Sequence, residues 1–179
     1  IEFYCGNAKQ SAFYYQYAMG FKLTGYSGLE TGNRERASFL LEQGKIKFVL
    51  STPYHPGNFM ADHIKQHGDG VRDIALEVDD AASAFNETVK RGAIPVLQPT
   101  KIEDENGFIE EAAIKLYDDA EIVFINRENY KGLFKPGYGK PVQNIVVASE
   151  DTGIQSVDHI VGNVRTNEMN LWANYLNKS

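Results

Sequence analysis

Apolar and polar residues follow one another in the first fifty positions in the order expected for a strand, a helix and three further strands. The opening residues are β-prone, and Ala12, Tyr15 and Met19 then recur at helical spacing before Gly20 stops the pattern. Period-two runs predict strands at 21–26, 37–41 and 46–50. This part of the chain is therefore predicted to form one β-α-β-β-β unit.

A second β-α-β-β-β pattern begins after a loop and a short helix. A strand is predicted at 71–78, and Asp79 or Asp80 can cap the helix that follows it. That helix would bury Phe85 together with its alanine and valine neighbours on one face. Further strands are predicted at 95–97, 107–116 and 121–126. Residues 1–126 are therefore predicted to form one domain of two such units.

The remainder of the chain changes character twice. Residues 127–156 are rich in glycine and proline, which predicts a linker with one short candidate strand at 145–148. A strand at 157–164 and a helix at 168–176 are predicted next, as the start of another domain at 157–179. Trp172 has no later segment to cover it, and the chain starts without Met, so we expect a piece of a longer protein.

Two strand segments far apart in the chain resemble each other. Residues 1–8 align without gaps to 157–164, and both segments carry a Gly-Asn pair after an acidic and an aromatic position. In this alignment Phe3 takes the place of His159, and we expect the side chain there to point into a cavity between curled sheets. A neutral imidazole at that place can bind a metal ion, whereas a phenyl ring cannot.

Composition narrows the classes of function. The 18 basic residues are scattered and are outnumbered by 24 acidic ones, giving a formal charge of −6. This balance argues against nucleic acid as a partner. No apolar run reaches the roughly 20 residues that a membrane helix needs. Cys5 is the single cysteine, which excludes an internal disulfide and, with the other features, predicts a cytoplasmic protein.

Three motifs carry a resemblance to a known family. Val157-Asp158-His159-Ile160-Val161-Gly162-Asn163-Val164, His67-Gly68-Asp69-Gly70-Val71-Arg72-Asp73-Ile74-Ala75 and Phe134-Lys135-Pro136-Gly137-Tyr138 stand in this order along the chain. They resemble the 4-hydroxyphenylpyruvate dioxygenase family, over the amino-terminal domain and the first strand and helix of the catalytic domain. The resemblance implies an α+β fold of paired β-α-β-β-β modules, the vicinal-oxygen-chelate fold.

The resemblance also implies a chemistry for the complete chain. Members hold Fe(II) with two histidines and a glutamate, and they convert 4-hydroxyphenylpyruvate and O2 to homogentisate and CO2 in tyrosine catabolism. Carried over by position, His159 is the first iron ligand and Val161 lines the substrate pocket, while the other ligands would lie beyond Ser179. Members form homo-oligomers, so self-association is expected here, and the aromatic-rich first helix is a candidate interface.

Other interpretations of the same residues remain open. By the repeat, ligand positions in the amino-terminal domain would be Phe3, Asp73 and about Val123, so no metal is expected there. A 4-hydroxymandelate synthase, a non-catalytic small-molecule-binding module of the same fold, or a zinc glyoxalase are the alternatives to the dioxygenase. His63 and His67 have a chelating spacing, but a solvated helix face is the preferred interpretation. Cys5 is interpreted as a small buried hydrophobe.

Overall fold

The chain folds into two compact units. The computed structural model describes the backbone of residues 1–179 and every side chain except that of Gln143. Unit 1 comprises Ile1–Val71 and Gly137–His159, and unit 2 comprises Arg72–Pro136 and Ile160–Ser179. The helices and strands, in chain order, are β1 (Glu2–Tyr4), α1 (Ala8–Met19), β2 (Lys22–Ser27), β3 (Arg36–Gln43), β4 (Ile46–Pro53), α2 (Phe59–His67), β5 (Gly70–Glu77), α3 (Ala81–Lys90), β6 (Pro95–Asp104), β7 (Gly107–Lys115), β8 (Glu121–Asn126) and α4 (Met169–Lys178).

Unit 1 contains the first β-α-β-β-β motif. Its strands lie in the order β2-β3-β4-β1, with β1 parallel to β4 and the other pairs antiparallel. The side chain of Asn7 accepts a hydrogen bond from the N–H of Gln10 and so caps α1. Helix α1 packs one face of the sheet, and the core beneath it is built largely from Phe21, Phe39, Leu41 and Leu50. The predicted architecture of this unit is confirmed.

Unit 2 repeats the motif with a smaller core. Its strands lie in the order β5-β8-β7-β6, with β5 parallel to β8. Asp80 caps α3, and Ala81 and Phe85 are the buried residues of that helix. Strand β6 runs to Asp104 and is much longer than the predicted 95–97. Its apolar pattern is weak, and the strand is held by hydrogen bonds to β7, which the local sequence does not predict.

The second part of the predicted linker follows the surface of unit 1. No strand forms at 145–148, and a single 3-10 turn at Gln143–Ile145 takes its place. The buried amide of Gln16 donates to the carbonyl of Ile145 and accepts from the N–H of Val147. Further along, Gln43 donates to Asp151 and to Thr152. Residues 137–155, which we call the strap, are therefore held by polar side chains of the unit.

The predicted strand at 157–164 is absent from the structure. Its backbone is irregular, and among the residues that the structure describes no strand pairs with it. A strand needs a neighbour for its N–H and C=O groups, so an apolar pattern alone does not form one. Helix α4 does form, and Trp172, predicted to be uncovered, makes edge contacts with Tyr117 and Tyr175 in unit 2.

The helices of the chain are short. Among the residues described, none is long and apolar enough to cross a membrane.

Candidate functional site

His159, the predicted metal ligand, stands in exposed irregular chain. Its side chain is 73% exposed, and its Nδ1 lies 2.6 Å from the Asp158 carboxylate. A carboxylate on one ring nitrogen fixes the tautomer and leaves Nε2 as the metal-binding atom. The residue therefore has the chemistry of a metal ligand. Its role as a metal ligand stays a prediction, since no second or third ligand lies beside it among the side chains that the structure describes.

Val161 lies in the same irregular stretch. The structure leaves 80% of this residue exposed. An aliphatic side chain that lines a substrate pocket must be covered by other elements, and no strand or helix of unit 2, as described, forms a pocket over it. The predicted substrate contact at Val161 stays a prediction as well.

The first strand places Phe3 beneath the first helix. Phe3 packs under α1, with its ring 6.2 Å from that of Tyr15 and 5.1 Å from that of Phe48. The ring also borders a cavity beside α1 within unit 1, and the expectation of a cavity between curled sheets stays a prediction. Helix α1 begins directly after Asn7, whereas α4 begins six residues after Asn163, at Met169. The sequence match therefore does not extend to the start of the following helix.

The opposite face of β1 carries a buried polar chain that the sequence analysis missed. Glu2 accepts a hydrogen bond from Ser51 at 2.5 Å and forms an ion pair with Arg36 at 3.2 Å. The hydroxyls of Ser51 and Ser38 lie 2.7 Å apart, and both serines are fully buried. Two serines at paired positions of adjacent strands were the available signal, since Ser38 and Ser51 are direct partners in the β3–β4 ladder.

Asp73, the second position suggested by the repeat, lies beside a guanidinium. Arg72 forms ion pairs with Asp73 at 3.3 Å and with Glu121, and the three side chains are largely buried. Asp73 and Glu121 are direct partners in the β5–β8 ladder, so both face the same side of the sheet. Arg72 contributes one positive charge beside the two carboxylates, which offsets part of the cost of burying them.

Two lesser candidates have different outcomes. His63 is only 5% exposed and packs edge-on to Tyr4 with ring centroids 5.3 Å apart, so the prediction of a solvated face is wrong for this residue. The reason is that α2 turns its Met60–His63 face toward β1.

The prediction for Cys5 is confirmed, since it is 3% exposed, and burial raises the pKa of its thiol to about 11.

The two β-α-β-β-β units define a protein of the vicinal-oxygen-chelate fold class. A mutant 4-hydroxymandelate synthase from Streptomyces coelicolor has the same fold, with a TM-score of 0.80 and 20% sequence identity. The match covers 99% of this chain and 50% of that one. At this identity the comparison establishes the fold.

Sequence comparison then gives the family. Residues 1–136 match the family model described as the N-terminal part of hydroxyphenylpyruvate dioxygenase, and the chain belongs to that family. It is 40% identical to 4-hydroxyphenylpyruvate dioxygenase of Dictyostelium discoideum over 170 residues, which are 91% of this chain and 46% of the relative. The identity to the enzyme of Xenopus tropicalis is 39%, and that match covers 94% of this chain and 44% of the relative. The chain thus spans about half the length of the curated relatives it matches.

Proposed function

We propose that this chain is the amino-terminal half of a 4-hydroxyphenylpyruvate dioxygenase, which as a complete chain converts 4-hydroxyphenylpyruvate and O2 to homogentisate and CO2 in tyrosine catabolism. The observation that carries the proposal is the family match over residues 1–136, together with relatives of that name at 39–40% identity. In this proposal residues 1–126 form the amino-terminal domain, 127–156 connect, and 157–179 open the catalytic domain.

The cofactor proposed for the complete chain is Fe(II). His159 would supply one imidazole ligand through Nε2, with Asp158 holding the other ring nitrogen 2.6 Å away. Bound iron would supply Lewis-acid and redox chemistry to a 2-oxo acid and O2. Val161, two residues further on, would contact the aromatic ring of the substrate once strand pairing has covered it.

The test is an oxygen-uptake assay on the complete protein, with Fe(II) and 4-hydroxyphenylpyruvate. We expect oxygen consumption, with homogentisate as the product by chromatography. Formation of 4-hydroxymandelate would identify the synthase, which has the same fold, as the correct function. Tight binding of the substrate without oxygen uptake, in iron-loaded protein, would identify a non-catalytic binding module.

A variant assigns the role of His159. His159→Ala should lower iron-dependent turnover of the complete protein by at least about 10³-fold, and it should leave thermal unfolding of the 179-residue chain unchanged because the side chain is mostly exposed there. His55→Ala, an exposed histidine of unit 1, is the matched control and should keep full activity. Turnover retained in His159→Ala would contradict the assignment.

Self-association and a cytoplasmic location complete the proposal. Helix α1 exposes Phe13, Tyr14 and Tyr17, and the rings of Phe13 and Tyr17 stack at 5.8 Å. Aromatic side chains are enriched in interfaces between subunits, which supports a role for this face in assembly. Analytical ultracentrifugation of the protein and of a Phe13→Ser/Tyr17→Ser variant tests it, since dissociation is expected only in the variant. Imaging of the tagged protein in its own cells tests the location.

A further inference from the structure

A cavity of about 570 Å³ opens beside the first half of α1, entirely within unit 1. Its volume falls in the range of small-molecule sites in proteins. The residues around it come from β1, α1, β4 and the turn that leads into β5. The iron site proposed above involves none of these residues, so this cavity is independent of the proposed function.

The inner part of the cavity is apolar. Leu50 is fully buried and Cys5 is 3% exposed, while the rings of Phe3 and Tyr15 form the sides. Those two rings are tilted by 43° with centroids 6.2 Å apart, and aromatic side chains pack favourably against a further ring. The lining therefore favours a planar aromatic group.

One side chain at the cavity carries a full charge. The carboxylate of Asp69 is exposed, and its Oδ1 accepts a hydrogen bond of 2.7 Å from the N–H of Gly6. That bond joins the turn before β5 to the end of β1 and holds the carboxylate in place. Pre-organised acceptors of this kind favour a donor that brings a positive charge.

The other lining residues add no positive charge. Among the described side chains around the cavity there is no Lys, Arg or His. The Cys5 thiol has a pKa raised to about 11 by its burial, so it is neutral at physiological pH. An aromatic acid such as a 2-oxo acid substrate would therefore meet a carboxylate without a balancing cation.

From this combination we propose that the cavity binds a small aromatic amine, with its ring against Phe3 and Tyr15 and its ammonium group at Asp69. The site is separate in place and in charge preference from a site for an anionic aromatic substrate. Its occupant would couple α1 and β1 to the turn at Asp69.

Three probes with the same phenol ring and different charges test the proposal on the complete protein. These are tyramine, p-cresol and 4-hydroxyphenylacetate, which are cationic, neutral and anionic at pH 7. Binding is followed by backbone amide shifts of residues at the cavity, such as Ser11 and Gly70. We expect tyramine to bind at least about tenfold more tightly than 4-hydroxyphenylacetate, with p-cresol between them.

Two variants locate the effect. Asp69→Asn keeps an oxygen for the Gly6 N–H and removes the charge, so the preference for tyramine should fall to within about twofold. Asp62→Asn, an exposed carboxylate on α2 outside the cavity, is the control and should keep the full preference. Ser11→Phe fills the cavity from α1 and should weaken all three probes, provided its far-ultraviolet spectrum matches the parent.

The proposal is overturned if tyramine does not saturate the amide shifts by about 10 mM, or if the anionic probe binds as tightly. It is also overturned if Asp69→Asn leaves the preference unchanged. Should Ser11→Phe fail to fold, the comparison of Asp69→Asn with Asp62→Asn decides alone.

Discussion

Two neighbouring stretches of this chain lack strands and differ in how they are held. The strap at 137–155 is bound to unit 1 through backbone pairing of Gly139 with Tyr26 and through side chains from α1 and β3. The stretch at 156–163 is exposed at every position, and the side chain of His159 points to solvent. Glycine and proline content is higher in the first stretch, yet the first stretch is the one that is fixed.

The difference lies in the partner surface. The side chain of Gln16 in α1 binds the strap backbone on either side of Val146. The hydroxyl of Thr152 in the strap donates to the carbonyl of Met19 at 2.7 Å. The N–H of Lys45 donates to the carbonyl of Gln155 at 2.7 Å. Each of these bonds gives a backbone group of the strap or of unit 1 a fixed hydrogen-bond partner. An irregular segment can therefore be as fixed as a strand where side chains of a folded unit meet its polar groups.

The largest change to the strap should come from Gly20→Ala. Gly20 ends α1 with φ +75°, and a Cβ there would lie 3.0 Å from Thr152 N and closer still to Glu150 O. Because both contacts are with backbone, the strap must move, and we expect a loss of about 3 kcal/mol in unfolding free energy by denaturant titration. Gly32→Ala, also left-handed at φ +87° but with open space, is the control and should cost about 1 kcal/mol. Equal losses would show that the strap does not press on Gly20.

Gln16→Leu should have the next largest effect. Leucine keeps the volume, but it leaves the carbonyl of Ile145 and the N–H of Val147 without their side-chain partner. We expect about 2 kcal/mol of destabilisation and faster amide exchange at Val147. Gln66→Leu, an exposed glutamine on α2, is the matched control and should change stability by less than about 0.5 kcal/mol. Slow exchange at Val147 in Gln16→Leu would mean that other contacts hold the strap.

Helix α4, which follows the exposed stretch, is again held by hydrogen bonds to unit 2. The hydroxyl of Tyr175 donates to the carbonyl of Lys115 at 2.7 Å and accepts from the N–H of Ile94 at 3.0 Å. Tyr175→Phe removes both bonds and should cost about 1 kcal/mol, seen as faster amide exchange in α4. Tyr17→Phe, on a residue that is 72% exposed, should have no measurable effect. Unchanged exchange in α4 would contradict this account of its docking.

The sequence contained enough to predict the two β-α-β-β-β units, because alternation and helical spacing are local signals. It did not reveal that Gln16 is buried, since a glutamine at that spacing looks like the polar edge of a helix, and its partners lie about 130 residues away. The Gly-Asn repeat misled for a related reason. Matching letters at Asn7 and Asn163 do not fix where the following helix begins.

The candidate site was predictable only in part. His159 and its neighbour Asp158 were found through the family motif, and their contact is visible in the structure. The covering of Val161 requires strand pairing, which depends on other segments rather than on local pattern. Asp69 lay inside a family motif, while its contact with Gly6 across 63 positions could not be predicted from spacing.

The carboxylate of Asp151, near the end of the strap, should have a smaller effect on stability. The carboxylate of Asp151 accepts a hydrogen bond from the Gly153 N–H and another from the Gln43 amide. The first bond, and to a lesser degree the second, hold the pKa of this carboxyl below its ordinary value. The contribution to stability is therefore present above the ordinary value and is lost as the pH falls through the lowered pKa. The amide shift of Gly153 should titrate with a midpoint below about 3.9, the ordinary pKa of an aspartate side chain. Asp151→Asn should abolish this titration, and a midpoint at or above that value would contradict the hydrogen bonds.

The smallest effect is expected in the exposed stretch, where Val161→Ser should change the unfolding free energy by less than about 0.5 kcal/mol in this chain. The residue is 80% exposed, so the substitution removes little buried apolar area. The same change in the complete protein is the informative half of the test, because proposed strand pairing and substrate contact would bury Val161 there. A stability loss of more than about 1 kcal/mol, or a rise in KM for 4-hydroxyphenylpyruvate, is expected only in the complete protein. If the substitution destabilised the 179-residue chain as strongly, this stretch would be held as the strap is, and the contrast between the two would fail.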